Sequence, residues 1–115
     1  MEKRNEILEL SFEFAVDIIE FSELLEDHKK YIVARQLLKS GTSVGANVRE
    51  SQNCESSADF VHKLKIAAKE ADETEYWLLL CERAKKYPYD PILMTKLISI
   101  KKLLSSIITK MKNKM

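Results

Sequence analysis

Asp59 and His62 stand three residues apart in Asp59-Phe60-Val61-His62, a spacing that puts a carboxylate and an imidazole on one face of a helix. Bundles that hold two metal ions need that pattern twice, with a further Glu from each of two other helices. Here it occurs once, and Asp59 has another use. Ser56-Ser57-Ala58-Asp59 carries the spacing of a capping box, with Ser56 as N-cap and Asp59 at the third helical position. Cys54 and Cys81 have neither CxxC spacing nor a neighbouring His, so they read as reduced thiols rather than zinc ligands or a disulfide framework. No Gly-rich phosphate loop is present, and no Ser/His/Asp or Cys/His set is suggested by spacing. The expectation is a chain with no catalytic residue, no cofactor and no metal.

Three other groups could act by binding or packing. Gly41 and Gly45 are four apart and share one helical face. In a hairpin of the second and third helices that turns near Ser56, facing positions sum to about 112, which sets Gly41 opposite Ala71 and Gly45 opposite Ala67. The expected role is close backbone approach, with packing offsetting about 1 kcal/mol of helix propensity lost at each glycine. The same register gathers Asn47, Arg49 and Glu50 with His62, Lys63 and Lys65, as a hydrogen-bonded network or subunit contact. Lys101, Lys102, Lys110, Lys112 and Lys114 form the best candidate surface for nucleic acid; pairing with acids of the first helix is the other reading of these lysines. Tyr76-Trp77 could stack on a base, but on a patterned helix such a pair reads first as core or interface.

These residues sit on a chain of 115 residues, 45% hydrophobic and 32% charged, a soluble globular composition of one domain's length. With 2 Gly and 2 Pro, it has too few breakers for a sandwich or barrel. No apolar run approaches the ~18 residues of a membrane span, and no signal-peptide pattern opens the chain, so a cytoplasmic protein without a membrane partner is expected. The net charge of +1 hides an asymmetry: residues 1–27 carry 2 basic and 9 acidic side chains, residues 88–115 carry 6 and 1.

The elements follow from periodicity. From about Glu2 to Glu26, Ile7, Phe14, Ile18, Phe21 and Leu25 make one apolar stripe; Leu8, Phe12, Ala15 and Ile19 make a second. The acids from Glu6 to Asp27 line the opposite face. So wide an apolar face suits a helix that buries surface both in its own core and between subunits. The second segment, about His28 to Asn53, contains the poor helix formers Ser40 to Asn47. A loop is one reading there, but the apolar phase continues across it, so an unbroken helix is expected. The third segment starts at the Ser56 cap. Phe60, Leu64, Ala67, Ala71, Thr74, Leu78 and Cys81 form its stripe, with Trp77, Leu80, Ala84 and Tyr87 as a second. Tyr87-Pro88-Tyr89-Asp90-Pro91 breaks the chain, and Asp90 with Pro91 starts a fourth helix through Leu93, Leu97, Ile100, Leu104, Ile107 and Met111. Four such helices with short loops predict an all-α, up-down-up-down antiparallel four-helix bundle over residues 1–115.

Two blocks are specific. Ser40-Gly41-Thr42-Ser43-Val44-Gly45-Ala46-Asn47-Val48-Arg49-Glu50 is the first. Asp59-Phe60-Val61-His62-Lys63-Leu64-Lys65-Ile66-Ala67, continued by Lys69-Glu70-Ala71 and Glu73-Thr74-Glu75-Tyr76-Trp77-Leu78, is the second. With them the chain resembles, over nearly its whole length, the bacterial four-helix-bundle proteins first noticed as open reading frames in intervening sequences of 23S ribosomal RNA genes, often labelled a ribosomal protein family. The resemblance implies a bundle assembling as a homopentameric ring, a cytoplasmic location and no known enzymatic activity. Similar proteins serve diversity-generating retroelements, where a strongly basic pentamer binds reverse transcriptase and nucleic acid. This chain, with pI about 7.7, lacks that basic signature. The expected function is an oligomeric scaffold with a protein partner, and the alternative is an RNA-binding accessory factor.

Overall fold

A computed structural model describes residues 5–115. Four helices follow one another: α1 (Glu6–Asp27), α2 (Tyr31–Ser51), α3 (Ser57–Arg83) and α4 (Pro91–Lys114). Each packs on its sequence neighbours, and α1 closes against α4; the diagonal pairs α1/α3 and α2/α4 share no close Cα approach among the described residues. Side-chain partners give the directions. Ser40 meets Thr74 and Glu50 meets Lys63 between α2 and α3, and Lys96 meets Asp17 between α4 and α1. In each pair the residue number rises on one helix as it falls on the other, so neighbours are antiparallel, as expected for an up-down bundle. Residues 1–4, where the first helix was expected to begin, lie outside the described residues.

The helix ends follow their residues. Asn5 accepts the Leu8 N–H, Ser56 accepts the Asp59 N–H at 3.1 Å, and Asp90 accepts the Ile92 N–H with Pro91 in the first turn. α1 ends in a Schellman turn. The Lys30 N–H reaches the Leu25 carbonyl, the Lys29 N–H reaches Glu26, and Lys29 takes the left-handed φ of 62°. α3 stops at Arg83, earlier than its second stripe suggests. Ala84 is extended and Lys86 has φ 67°, and Tyr87 precedes a proline, which disfavours helical backbone. Ala84 and Tyr87 therefore leave the helix. Tyr87 packs against the core from the loop, with the Lys30 ammonium 4.8 Å from its ring centre.

α2 is unbroken through its weak helix formers because their polar atoms bond within the helix. The hydroxyls of Thr42 and Ser43 donate to the carbonyls of Leu38 and Lys39, each at 2.7 Å, and the Asn47 amide donates to Ser43 at 2.9 Å. Phe14, Ile18, Leu25, Leu37, Val44, Val48, Leu64, Leu78, Leu97 and Leu104 are fully enclosed at the centre of the bundle.

The glycines do permit close approach, but to α1 and not to α3. A Cβ on Gly41 would stand 2.8 Å from Ile18 Cγ2, and one on Gly45 would stand 3.0 Å from the Ser11 carbonyl oxygen. Ala67 and Ala71 are fully buried, yet they are not the glycines' partners. The hairpin register was nearly right, since 40 meets 74 and 50 meets 63. The face was wrong: Ser40, about 100° from Gly41 on the helix, is the residue turned to α3. Ile18 is enclosed on all sides and cannot swing away from a new methyl group. Gly41→Ala should therefore destabilise the fold by about 1–3 kcal/mol through overpacking, exceeding the propensity gain of about 1 kcal/mol. Ile18→Ala alone should lose about 2–5 kcal/mol. Denaturant melts of the two single variants and the double should show a double loss smaller than the sum, because each change relieves the other.

Candidate functional site

The second apolar stripe of α1 is only partly at the surface: Phe12 is 63% exposed and Ile19 43%, while Leu8 and Ala15 are half-buried. Val16, outside that stripe, is 40% exposed beside them. Beside the stripe α1 and α2 flank a shallow groove of about 420 Å³, lined by Leu8, Phe12, Ala15, Thr42, Gly45 and Arg49 among others. Its floor is low because Gly45 and Ala46 offer no bulk, so the groove and the helix contact have one cause. Thr42 already spends its hydroxyl on Leu38, which leaves an apolar surface with one cation, Arg49, at its edge. On the α4 side the acids Glu13, Glu20 and Glu23 stand exposed along α1.

The expected polar cluster divides. Glu50 and Lys63 form an ion pair at 3.0 Å across α2 and α3, while Asn47 bonds to its own helix and Arg49 turns to the α1 groove. His62 is exposed, and Asp59 stands at the Ser56 cap. No set of three or more His, Cys, Asp or Glu side chains is grouped to hold a metal ion among the described residues.

The lysines of α4 do not form one patch. Lys101 lies between α3 and α4, where its ammonium pairs with Asp72 at 2.9 Å and with Glu75. Hydrogen bonds to Glu75 and then Asp72 hold its pKa above the ordinary lysine range. Its charge is thus matched within the subunit, by acids of α3 rather than α1. The lysine that reaches α1 is Lys96, 2.6 Å from Asp17. At about 100° per residue, Lys114 follows Lys96 toward α1, Lys110 lies nearby, and Lys102 points outward. Lys112 turns to α3 and lies beside Lys65, and the approach of its positive charge lowers the Lys65 pKa. Sequence reasoning missed Asp72, Glu75 and Lys96, and it set Lys65 with the α2 polar cluster rather than beside Lys112. The available signal was the antiparallel register of the α3/α4 and α4/α1 neighbours, which brings those numbers together.

The two thiols differ. Cys81 is buried and burial pushes its pKa up to about 11, so it stays protonated and inert. Cys54 is half-buried at the end of α2.

A family model described as 23S rRNA-intervening sequence protein matches residues 3–106. The chain belongs to that family. One solved structure, a protein of unknown function from the S23 ribosomal protein family of Bacteroides thetaiotaomicron, is 43% identical, with a TM-score of 0.84 over 89% of this chain and 97% of that one. No curated protein matches the chain. The family match includes the α1 stripe, both glycines and the Tyr76-Trp77 pair, and it ends before Lys110, Lys112 and Lys114. No described helix of this family member is long and apolar enough to cross a membrane.

Two measurements check this geometry. Thiol titration of the native protein near pH 8 should show fast reaction at Cys54 only, with Cys81 reacting on unfolding. Lys101→Met should lower stability at neutral pH by at most about 1 kcal/mol. A raised folded-state pKa adds stability below the unfolded lysine value of about 10.4, and that stability fades as pH rises through the folded value. The gap between parent and variant should therefore persist through neutral pH and close only in strong alkali.

Proposed function

We propose that this chain is a non-enzymatic cytoplasmic scaffold that assembles as a homopentameric ring and acts by holding a protein partner. The observation that carries the reading is the α1 stripe. Phe12, Val16 and Ile19 lie in a row on one helix beside an apolar groove. Fully burying such a side chain contributes about 1.5–3 kcal/mol, and a contiguous apolar patch with a polar border marks an interface. The glycine contact strengthens the case, because it fixes α1 and α2 rigidly under that surface. Membership of the 23S rRNA-intervening sequence protein family, together with the ring that the sequence resemblance implies, supports a closed assembly rather than a pair.

Light scattering should give a mass near five times the 13.3 kDa subunit at micromolar concentration. Phe12→Lys, at a position 63% exposed, should keep the helical signal and the melting temperature while dissociating the assembly. A parent that runs as a monomer would overturn the reading.

Nucleic acid is the second reading, and one observation favours it: Lys65 and Lys112 place two like charges side by side, so that Lys112 lowers the Lys65 pKa, and a ring would repeat that pair around its circumference. Each lysine that neutralises a phosphate steepens the log–log salt dependence of affinity by about one unit. Lys102→Gln, Lys110→Gln and Lys112→Gln together should then weaken binding to structured RNA and flatten its salt slope. An unmeasurable parent affinity at ~50 mM salt, where electrostatic binding is strong, leaves protein scaffolding.

A further inference from the structure

α1 meets α4 along an open seam, on a different flank of α1 from Phe12. Two hollows lie along it. One, of about 390 Å³, has Phe21, Leu24, Ile92 and Leu93 among its walls; the other, of about 140 Å³, has Leu10 and Ile100. Phe21, Leu93 and Ile100 belong to the core, so the floor of the seam is the core itself. Leu24, 41% exposed, and Ile92, 59% exposed, stand on its lips. Lys96 lines both hollows and pairs with Asp17. From Leu10 to Leu24 the seam follows α1 for about 21 Å, or four turns.

Charge on the seam is one-sided. Asp17, Glu20 and Asp90 line the larger hollow and Glu13 the smaller, against the single ammonium of Lys96. Lys96 bonds to Asp17, and Glu13 reaches it through its charge without a bond. Asp90 caps α4 by accepting the Ile92 N–H. Glu13 and Glu20 are exposed and form no ion pair among the described residues. α1 cannot answer them, since it has no Lys or Arg. Nor can the rest of α4. Lys101 is held by Asp72 and Glu75 of α3, Lys102 points outward, and Lys110 and Lys114 lie about 15 Å or more past Ile100 along the helix. Glu13 and Glu20, seven positions apart, share one edge of α1 about 10.5 Å from each other.

We propose that this seam receives a basic amphipathic helix of a partner protein. A channel between two antiparallel helices with an apolar floor accepts a third helix by its apolar face, through residues at i, i+3, i+4 and i+7. Lys or Arg at seven-residue spacing fall along one edge of such a helix, the arrangement by which flanking charges choose partners in coiled coils, and that interval matches Glu13 and Glu20. An acidic helix meets like charge there and is rejected. A small cation would neutralise the carboxylates but leave Leu24 and Ile92 in water, whereas a helix covers both. Leu24 lies about 120° around α1 from Phe12, so a contact through Phe12 leaves the seam open. The inference rests on the reading of this chain as the holder of a protein partner, and it adds the place and the kind of segment held.

The test uses the full chain and a fluorescein-labelled peptide of about 18 residues, about 27 Å long as a helix, with a leucine face and Lys at every seventh position along one flank. One control peptide has Glu at those positions, and another has the same residues as the basic peptide in scrambled order. Fluorescence anisotropy should show the basic peptide binding at least about tenfold more tightly than either control. Glu13→Lys with Glu20→Lys should weaken it at least about tenfold and make the Glu peptide the tighter ligand. Ile92→Ser, which removes exposed apolar surface without adding charge, should weaken it at least about fivefold. Both variants should keep the parent's circular dichroism, melting temperature and light-scattering mass. Equal binding of the scrambled peptide would overturn the amphipathic helix as the occupant. Affinity unmoved by either variant would overturn the seam as the site while leaving the partner reading intact. A peptide that lowers the assembled mass would show that another copy covers the seam, which also overturns the proposal. No affinity of the parent for the basic peptide would remove this inference alone, whereas a monomeric parent would remove the scaffold reading beneath it.

Discussion

The close approach of α1 to α2 at Gly41 and Gly45 is the constraint on which the remaining features depend. Neither glycine has room for a Cβ: one is closed by Ile18 and the other by the Ser11 backbone. The two backbones can meet there only because those positions lack side chains. That contact brings Ser11, Ile18 and the core stripe of α1 down onto α2. It also rotates α1 so that Phe12, Val16 and Ile19 cannot turn inward. The exposed stripe is therefore the geometric remainder of a helix whose inner face is committed. The groove beside it is shallow and apolar for the same reason, being floored by the small residues that made the contact possible.

The polar interior obeys a similar economy. Buried hydroxyls bond mainly to their own helix, as Ser11 does to Leu8, Ser51 to Val48 and Thr74 to Glu70. A hydroxyl satisfied one turn back does not require a partner across the bundle, so it costs little in specificity and lets helices slide close. Thr74 is the exception that also reaches Ser40, and this single buried bond ties the centre of α2 to the centre of α3. Charge is handled at the seams instead. Lys101 with Asp72 and Glu75, Lys96 with Asp17, and Glu50 with Lys63 each bridge neighbouring helices at partly exposed positions. Such pairs add little stability individually, but each one fits only the observed register.

Much of this was legible in the sequence, and the misses have physical causes. Helical stripes report which residues face inward, so Ile7, Phe14, Ile18, Phe21 and Leu25 were placed correctly. Ser56 and Asp90 were placed as caps because a short polar side chain before an apolar run has few other uses. Register sums place residues along a hairpin but do not say which flank of a helix meets which neighbour. Gly41 and Gly45 were thus set at the right height and on the wrong side. The early end of α3 was hidden because Ala84 keeps the apolar phase, while the proline four residues on and the left-handed Lys86 decide the backbone. The α4 lysines were grouped by composition, although residues one, nine and thirteen apart on a helix, as Lys102, Lys110 and Lys114 are from Lys101, point in different directions.

The spread of exposed apolar surface follows from the up-down topology itself. In a four-helix square each helix exposes one outward edge, and diagonal helices expose edges on opposite sides. Exposed apolar side chains stand on all four helices, Phe12 on α1, Ile32 on α2, Tyr76 on α3 and Ile92 on α4, whereas charge is divided between neighbours, acidic along α1 and basic along α4. A near-neutral total charge is therefore the sum of an acidic α1 and a basic α4 lying side by side, rather than the absence of an electrostatic surface.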